Sequence, residues 1–218
     1  MSVVVPPTEA ALNIAVLISG SGRTLKNFID LAAEGSLPVE IKLVVSSSAA
    51  AGGLGFAEAA GIPSVVLDRK DFDSHNSYGQ AVFNACREAG VDLVAMAGFG
   101  KLAPVPDDFM GRVVNIHPSL IPAFCGHGMY GHRVHQAVLD YGAKVTGVTV
   151  HFVDNQYDAG PVIWQQPVPV FDDDTADTLA ARVFQAEKEA YPHVLKLIAA
   201  GRVKLNGRKV TIGTPRGG

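Results

Sequence analysis

An amide and an imidazole stand two residues apart in the run Val113-Val114-Asn115-Ile116-His117-Pro118. In an extended chain, residues two apart share a face. Asn115 and His117 therefore project together, and Ile116 projects the other way. Pro118 disfavours helical geometry at His117 and keeps the pair extended, and Pro122 stiffens the exit. An amide N–H can hold a developing oxyanion and an imidazole can move a proton, which are two needs of transfer at a carbonyl carbon. Alone, Asn115 would read as a turn cap and His117 as a satisfied core histidine. As a fixed pair at the end of a buried strand they point to a site, because open α/β sheets bind ligands at the carboxyl ends of their strands.

A carboxylate could return to the same edge from "GVTVHFVDNQYDAGPVI" at 147–163. Asp158 is the candidate there, able to orient His117 and favour its charged form. Asp154 reads more simply as a turn-forming residue. His151 alternates with Thr149 and Val153 and reads as a core or supporting histidine.

The glycine turn "ISGSGRTL" at 18–25 joins a strand to a helix, so backbone N–H groups and a helix N-terminus can face a phosphate. It lacks the third glycine of a dinucleotide fingerprint, Leu25 standing there, and the second strand ends in Ser46-Ser47-Ser48 rather than an acid. NAD is disfavoured. A phosphate monoester fits better, with Arg23 and Thr24 adding a charge and a hydroxyl; a plain tight turn is the bland alternative. His127, His132 and His135 in "GHGMYGHRVHQ" at 126–136 lack a convergent ligand spacing, so no metal is expected, and they read as polar loop and helix-surface residues. Cys125 has no evident partner.

Elements that could position these residues follow from periodicity. Short apolar runs at 12–19, 39–47, 63–68, 91–98 and 112–117 predict buried strands, with helices at 24–34, 53–61 and 77–89 between them. That alternation implies parallel strands with helical crossovers. Beyond it come a loop at about 118–131, a helix near 132–141, and strands at 144–154 and 162–171. Pro167 and Pro169 mark the latter as an edge or bulged strand. Asp172–Asp174 and Thr175 open a last helix that buries Leu179, Val183, Tyr191, Leu195 and Ile198, and Asn206-Gly207 signals a hairpin in 202–212. The expected class is α/β: an open, mostly parallel sheet with helices on both faces, its C-terminal part mixed and ending in a hairpin.

With 218 residues, 48% of them hydrophobic and 18% charged, one domain over 1–218 is the natural reading, with 1–11 a frayed lead-in and 202–218 a hairpin and tail. Arg202, Lys204, Arg208, Lys209 and Arg216 read as a solvated basic surface. A net charge of −3 argues against nucleic acid as partner. Two cysteines without CxxC spacing fit a reducing, cytoplasmic setting. The N-terminal run lacks a basic region, and no apolar stretch approaches bilayer length, so neither a signal peptide nor a membrane is expected.

Four stretches occur together in one order: "NIAVLISGSGRTL" from 13, "AGFGKL" at 97–102, "NIHPSLIPAF" at 115–124, and "GVTVHFVDNQYDAGPVI". The chain resembles the phosphoribosylglycinamide formyltransferases of the folate-dependent formyltransferase group. That resemblance implies a Rossmann-like domain that moves a formyl group from 10-formyltetrahydrofolate to the amine of glycinamide ribonucleotide. It implies catalytic roles for Asn115, His117 and Asp158, and nucleotide binding by Gly22, Arg23, Thr24 and Glu187. It implies folate contacts from His75, Gly100, Lys101, Leu102, Ala103, Asn115, Asp154, Asn155, Gln156 and Tyr157. The partners it implies are small molecules, and it leaves a homodimer open. The chain departs from the family at Arg23-Thr24, where Ser-Asn is frequent, and at His75 and Lys101, where Arg is. Alternatives are a formyltetrahydrofolate deformylase, which uses water in place of the amine, and a non-catalytic nucleotide-binding module.

Overall fold

The computed structural model describes residues 2–3 and 11–213. A seven-stranded sheet runs in the order β4 (Ser64–Val66), β3 (Val39–Ser46), β2 (Leu12–Ile18), β5 (Leu93–Met96), β6 (Val113–His117), β7 (Val145–Phe152), β8 (Val162–Pro169). The first five of these are parallel, and β7 and β8 are antiparallel. β8 lies at the sheet edge, as its two prolines require, since a proline cannot donate to a ladder.

The apolar alternation of β2 feeds two cores. Ile14, Val16 and Ile18 pack on one face with Leu25 and Phe28 of α1 (Arg23–Ala33), Val138 of α4 (His132–Tyr141) and the buried side of α5 (Ala176–Ala199). Ala15 and Leu17 pack on the other with Tyr78, Val82, Phe83 and Cys86 of α3 (His75–Glu88). A short α2 (Gly53–Ala59) joins the first core through Ala57. β6 splits the same way: Val113 belongs to the α3 core, Val114 and Ile116 to the other. Asn115 and His117 thus emerge on the α3 face, past the end of its core, as the two-residue period demands.

Two local devices fix the helices near that edge. Pro192 inside α5 cannot donate to the carbonyl four residues back. The Asn27 side-chain amide of α1 donates to that carbonyl, Lys188 O, at 3.1 Å, pinning α1 to α5. Ser74 and Ser77 form a reciprocal capping box that starts α3 at His75, two residues before the predicted start.

β1 (Ser2–Val3), β9 (Val203–Asn206) and β10 (Lys209–Ile212) form a small antiparallel sheet. The frayed lead-in is corrected at Ser2 and Val3, which pair with Asn206 and Leu205; residues 1 and 4–10, and the tail with Arg216, lie outside the described residues. The predicted hairpin is present with its turn one residue later. Asn206 pairs with Lys209, so the loop is Gly207-Arg208, with Gly207 at a φ of 59°.

Candidate active site

His117 is the centre of the polar cluster. It is 4% exposed, and its Nε2 lies 2.9 Å from the Phe124 carbonyl. A carbonyl only accepts, so Nε2 carries a proton. Nδ1 faces Asp158 Oδ2 at 3.5 Å, and a second proton there would make His117 the cationic partner of that carboxylate. Asp158 is held in turn: the Gly126 N–H donates to its Oδ2 at 2.9 Å, and its backbone sits at a φ of 50°.

Asn115 lies opposite His151 in the β6–β7 ladder, and its Nδ2 is 3.3 Å from His151 Nε2. His151 Nδ1 faces the Phe152 carbonyl at 2.8 Å, which puts the ring proton on Nδ1 and leaves Nε2 as acceptor. Burial lowers the pKa of His151 and keeps it neutral, although the Phe152 carbonyl and Asp158 pull the other way. One Asn115 N–H is thereby engaged, and the other is left for the cleft. His151 Nε2 also stands 3.7 Å from Asp158 Oδ1, with no proton between them, so the two pairs Asn115–His151 and His117–Asp158 lie side by side in one cluster.

The loop after β6 is braced from the sheet. Thr149, opposite His117, donates its hydroxyl to Ser119 O at 2.7 Å and accepts the Ile121 N–H at 3.1 Å. Ser119 Oγ donates to Ala123 O at 2.6 Å. Phe124, at a φ of 51°, turns its carbonyl onto His117.

The glycine turn leads into α1 with Gly22 as N-cap at a φ of 71° and no side-chain cap, so first-turn N–H groups stay open to a ligand. A Cβ on Gly22 would overlap the Cα of Gly53, and Gly53 N–H donates to Gly20 O at 3.2 Å. α2 thus backs the turn directly. Arg23 begins α1 and lies with its guanidinium 4.2 Å over the Phe184 ring of α5. Glu187, one turn further along α5, has its carboxyl pushed up to about 7 by burial, with Arg23 pulling it back.

The expected folate residues fall on two adjoining loops. Gly100, Lys101, Leu102 and Ala103 follow β5, and Asp154, Asn155, Gln156 and Tyr157 precede Asp158. The Asn155 amide ties the loops, accepting Val105 N–H at 2.8 Å and donating to Val105 O at 3.3 Å. Its side chain is therefore spent within the protein, and Ala103 is buried. Asp154 accepts the Gln156 N–H at 2.9 Å, the turn role expected of it. His75 Nδ1 lies 3.3 Å from Leu102 O and accepts from Arg69 Nε at 3.3 Å. A guanidinium thus stands beside His75, supplied by Arg69.

The sequence pattern described as "Formyl transferase" matches residues 12–195. The chain belongs to the formyl transferase family. It is 38% identical over 194 residues to the phosphoribosylglycinamide formyltransferase of Haemophilus influenzae, covering 88% of this chain and 89% of that one. It is 42% identical over 196 residues to the trifunctional purine biosynthetic protein adenosine-3 of Gallus gallus, covering 89% of this chain. The chain spans only about a fifth, 19%, of that longer protein. Among solved structures, glycinamide ribonucleotide transformylase 1 of Symbiobacterium toebii aligns with a TM-score of 0.89 at 38% identity, over 95% of this chain and 96% of that one.

Within this formyl transferase, the expected trio Asn115, His117 and Asp158 converges, and Arg23 lies near enough to Glu187 across α1 and α5 to favour its charged form. His151, expected as a core or supporting histidine, is buried beside Asn115, while reading residues alone missed the roles of Phe124 O, Gly126 N–H and Arg69. His135 is corrected. It is 5% exposed on the inner side of α4 beside Val134 and Val138, not on the helix surface, and desolvation lowers its pKa to about 4. No cluster of three or more metal-ligating residues occurs among the described residues, and no helix among them is long and apolar enough to cross a membrane.

Proposed function

We propose that this formyl transferase moves the formyl group of 10-formyltetrahydrofolate to the amine of glycinamide ribonucleotide by direct attack. The observation that carries the reading is the cluster of Asn115, His117 and Asp158, with His151 beside them, at the carboxyl end of β6. The free Asn115 N–H suits the oxyanion that forms as the amine adds to the formyl carbon, a contact whose loss typically costs about 10²–10³ in rate. With a second proton on Nδ1, His117 would offer a charged donor beside it, with Asp158 and the Phe124 carbonyl holding its ring. A proton must leave the incoming nitrogen and one must reach the departing folate nitrogen. Asp158 and His117 are the groups within reach, and positioned proton transfer contributes roughly 10²–10⁴.

The substrate phosphate suits the Gly22–Thr24 turn, where backbone donors, a hydroxyl and Arg23 meet. The folate suits the cleft between Gly100–Ala103 and Asp154–Tyr157, with His75 and Arg69 at its rim. The reading is tested by following folate release from 10-formyltetrahydrofolate with and without glycinamide ribonucleotide. Release that requires the amine supports transfer. Release without it means hydrolysis, and binding of both ligands without release means a non-catalytic module.

A further inference from the structure

We infer that Ser19 is a positioning residue through which one hydroxyl sets the Gly98–Ala103 loop against the phosphate turn. The inference rests on the ligand assignments proposed above. Ser19 follows β2 and opens the glycine turn, so it belongs to the phosphate side. Its N–H donates to Gly98 O at 3.1 Å, and its Oγ accepts the Gly100 N–H at 2.8 Å. Both ends of the Gly98–Gly100 bend are therefore held by one residue of the neighbouring strand. Gly98 itself sits at a φ of 78°, so the bend is sharp and its direction depends on those two bonds.

Ser47 completes the device from the other side. It follows β3, is 3% exposed, and its Oγ lies 2.6 Å from Ser19 Oγ. If Ser19 were the donor, the Ser47 proton would be buried with no acceptor, at the cost of an unsatisfied polar group. The favoured arrangement is Ser47 donating to Ser19. Ser19 Oγ then accepts twice, from Ser47 and from Gly100, and its own proton points out of the protein network. The ends of three adjacent strands, β3, β2 and β5, are tied at this oxygen. A shift in either ligand loop is felt by the other because the oxygen belongs to both.

The test uses Ser19→Ala, Ser19→Thr and Ser47→Ala in the full chain. Amide hydrogen exchange at Gly100 reads the geometry without reference to activity: it speeds up in Ser19→Ala and stays slow in Ser19→Thr. Dissociation constants of 10-formyltetrahydrofolate and glycinamide ribonucleotide read the consequence. Folate binding weakens roughly two- to tenfold in Ser19→Ala, the scale of one hydrogen bond. Nucleotide binding by the enzyme alone moves less than folate binding does. Ser19→Thr restores both, and Ser47→Ala, which leaves the acceptor in place, gives the smaller effect. Unchanged Gly100 exchange in Ser19→Ala overturns the inference. So does equal weakening of both ligands that Ser19→Thr fails to rescue. If wild-type enzyme releases no formyl group to the amine, the proposed function fails, whereas the Gly100 exchange result stands on its own.

Discussion

His151 aims the amide of Asn115. The two residues face each other across the β6–β7 ladder, and the bare Nε2 of a neutral, buried imidazole takes one Asn115 N–H at 3.3 Å. Rotation of the amide would set its oxygen against that lone pair, so the ring selects the orientation that presents an N–H to the cleft. Asn115→Ala is expected to lower turnover by about 10²–10³ with little change in ligand binding. His151→Leu keeps the bulk but frees the amide; a misplaced donor of this kind costs up to about 10². Steady-state kinetics with both substrates checks this, and near-wild-type turnover in both variants would remove Asn115 from the chemistry.

Asp158 holds two partners at once, His117 and the Gly126 N–H. Asp158→Asn preserves shape and can still accept from Gly126, but it withdraws the charge facing His117. Turnover is expected to fall by roughly 10²–10⁴, the range for positioned proton transfer. Its thermal midpoint should stay close to wild type, because Asp158 is near the surface of the cleft rather than within a core. Wild-type turnover in a folded Asp158→Asn protein would assign the proton steps elsewhere.

The fold was legible in the chain because its strands are short apolar runs separated by helices of clear period, and the doubling of β2 into two cores follows from alternation alone. Asn115 and His117 were legible for the same reason, as polar residues where a two-residue period leaves the core. What escaped was carried by backbone. Phe124 and Asp158 take positive φ without being glycine, and no composition marks them. The carbonyl and N–H that grip the trio are equally silent. His135 left a signal that went unused: with Val134 and Val138 it falls on one stripe of α4, and the polar look of three nearby histidines outweighed it.

Gly22 answers two demands at once, a φ of 71° and contact with Gly53. Gly22→Ala meets a steric clash with the start of α2 besides the left-handed backbone cost of about 1–2 kcal/mol. The protein is expected to lose stability and to bind the nucleotide poorly, while folate binding changes less. Thermal unfolding with separate titrations of the two ligands checks this. Retained nucleotide affinity would show that the turn does not need this geometry to hold its ligand.

Arg23 and Thr24 carry the charge and hydroxyl of the same turn. Arg23→Ala with Thr24→Val is expected to weaken nucleotide binding by about 1.5–3 kcal/mol, the scale of a charge-assisted hydrogen bond, and to leave the folate affinity unchanged. The wild-type nucleotide affinity should also fall with added salt, and less steeply in the double variant. Calorimetric titration at two ionic strengths separates the outcomes. Equal loss for both ligands would mean a general disturbance of the sheet edge.

Glu187 makes stability depend on pH in a direction opposite to an ordinary surface carboxylate. Burial raises its carboxyl from 4.5 to about 7 in the folded chain. Between those values the folded chain keeps a proton that the unfolded chain has lost, so the contribution is fully present below about 4.5 and is lost as the pH rises through about 7. His135 acts against it. Its folded value of about 4 lies below its ordinary 6.5, so it contributes stability that grows as the pH rises through that lower window. Wild-type thermal midpoints therefore mix two opposed slopes, and each residue must be compared with its own variant. Glu187→Gln is expected to lose the decline approaching pH 7 and to gain on wild type as the pH rises, and His135→Leu to flatten the acid side. A pH profile of Glu187→Gln parallel to wild type would mean that the carboxyl titrates in water and that α1 and α5 do not enclose it.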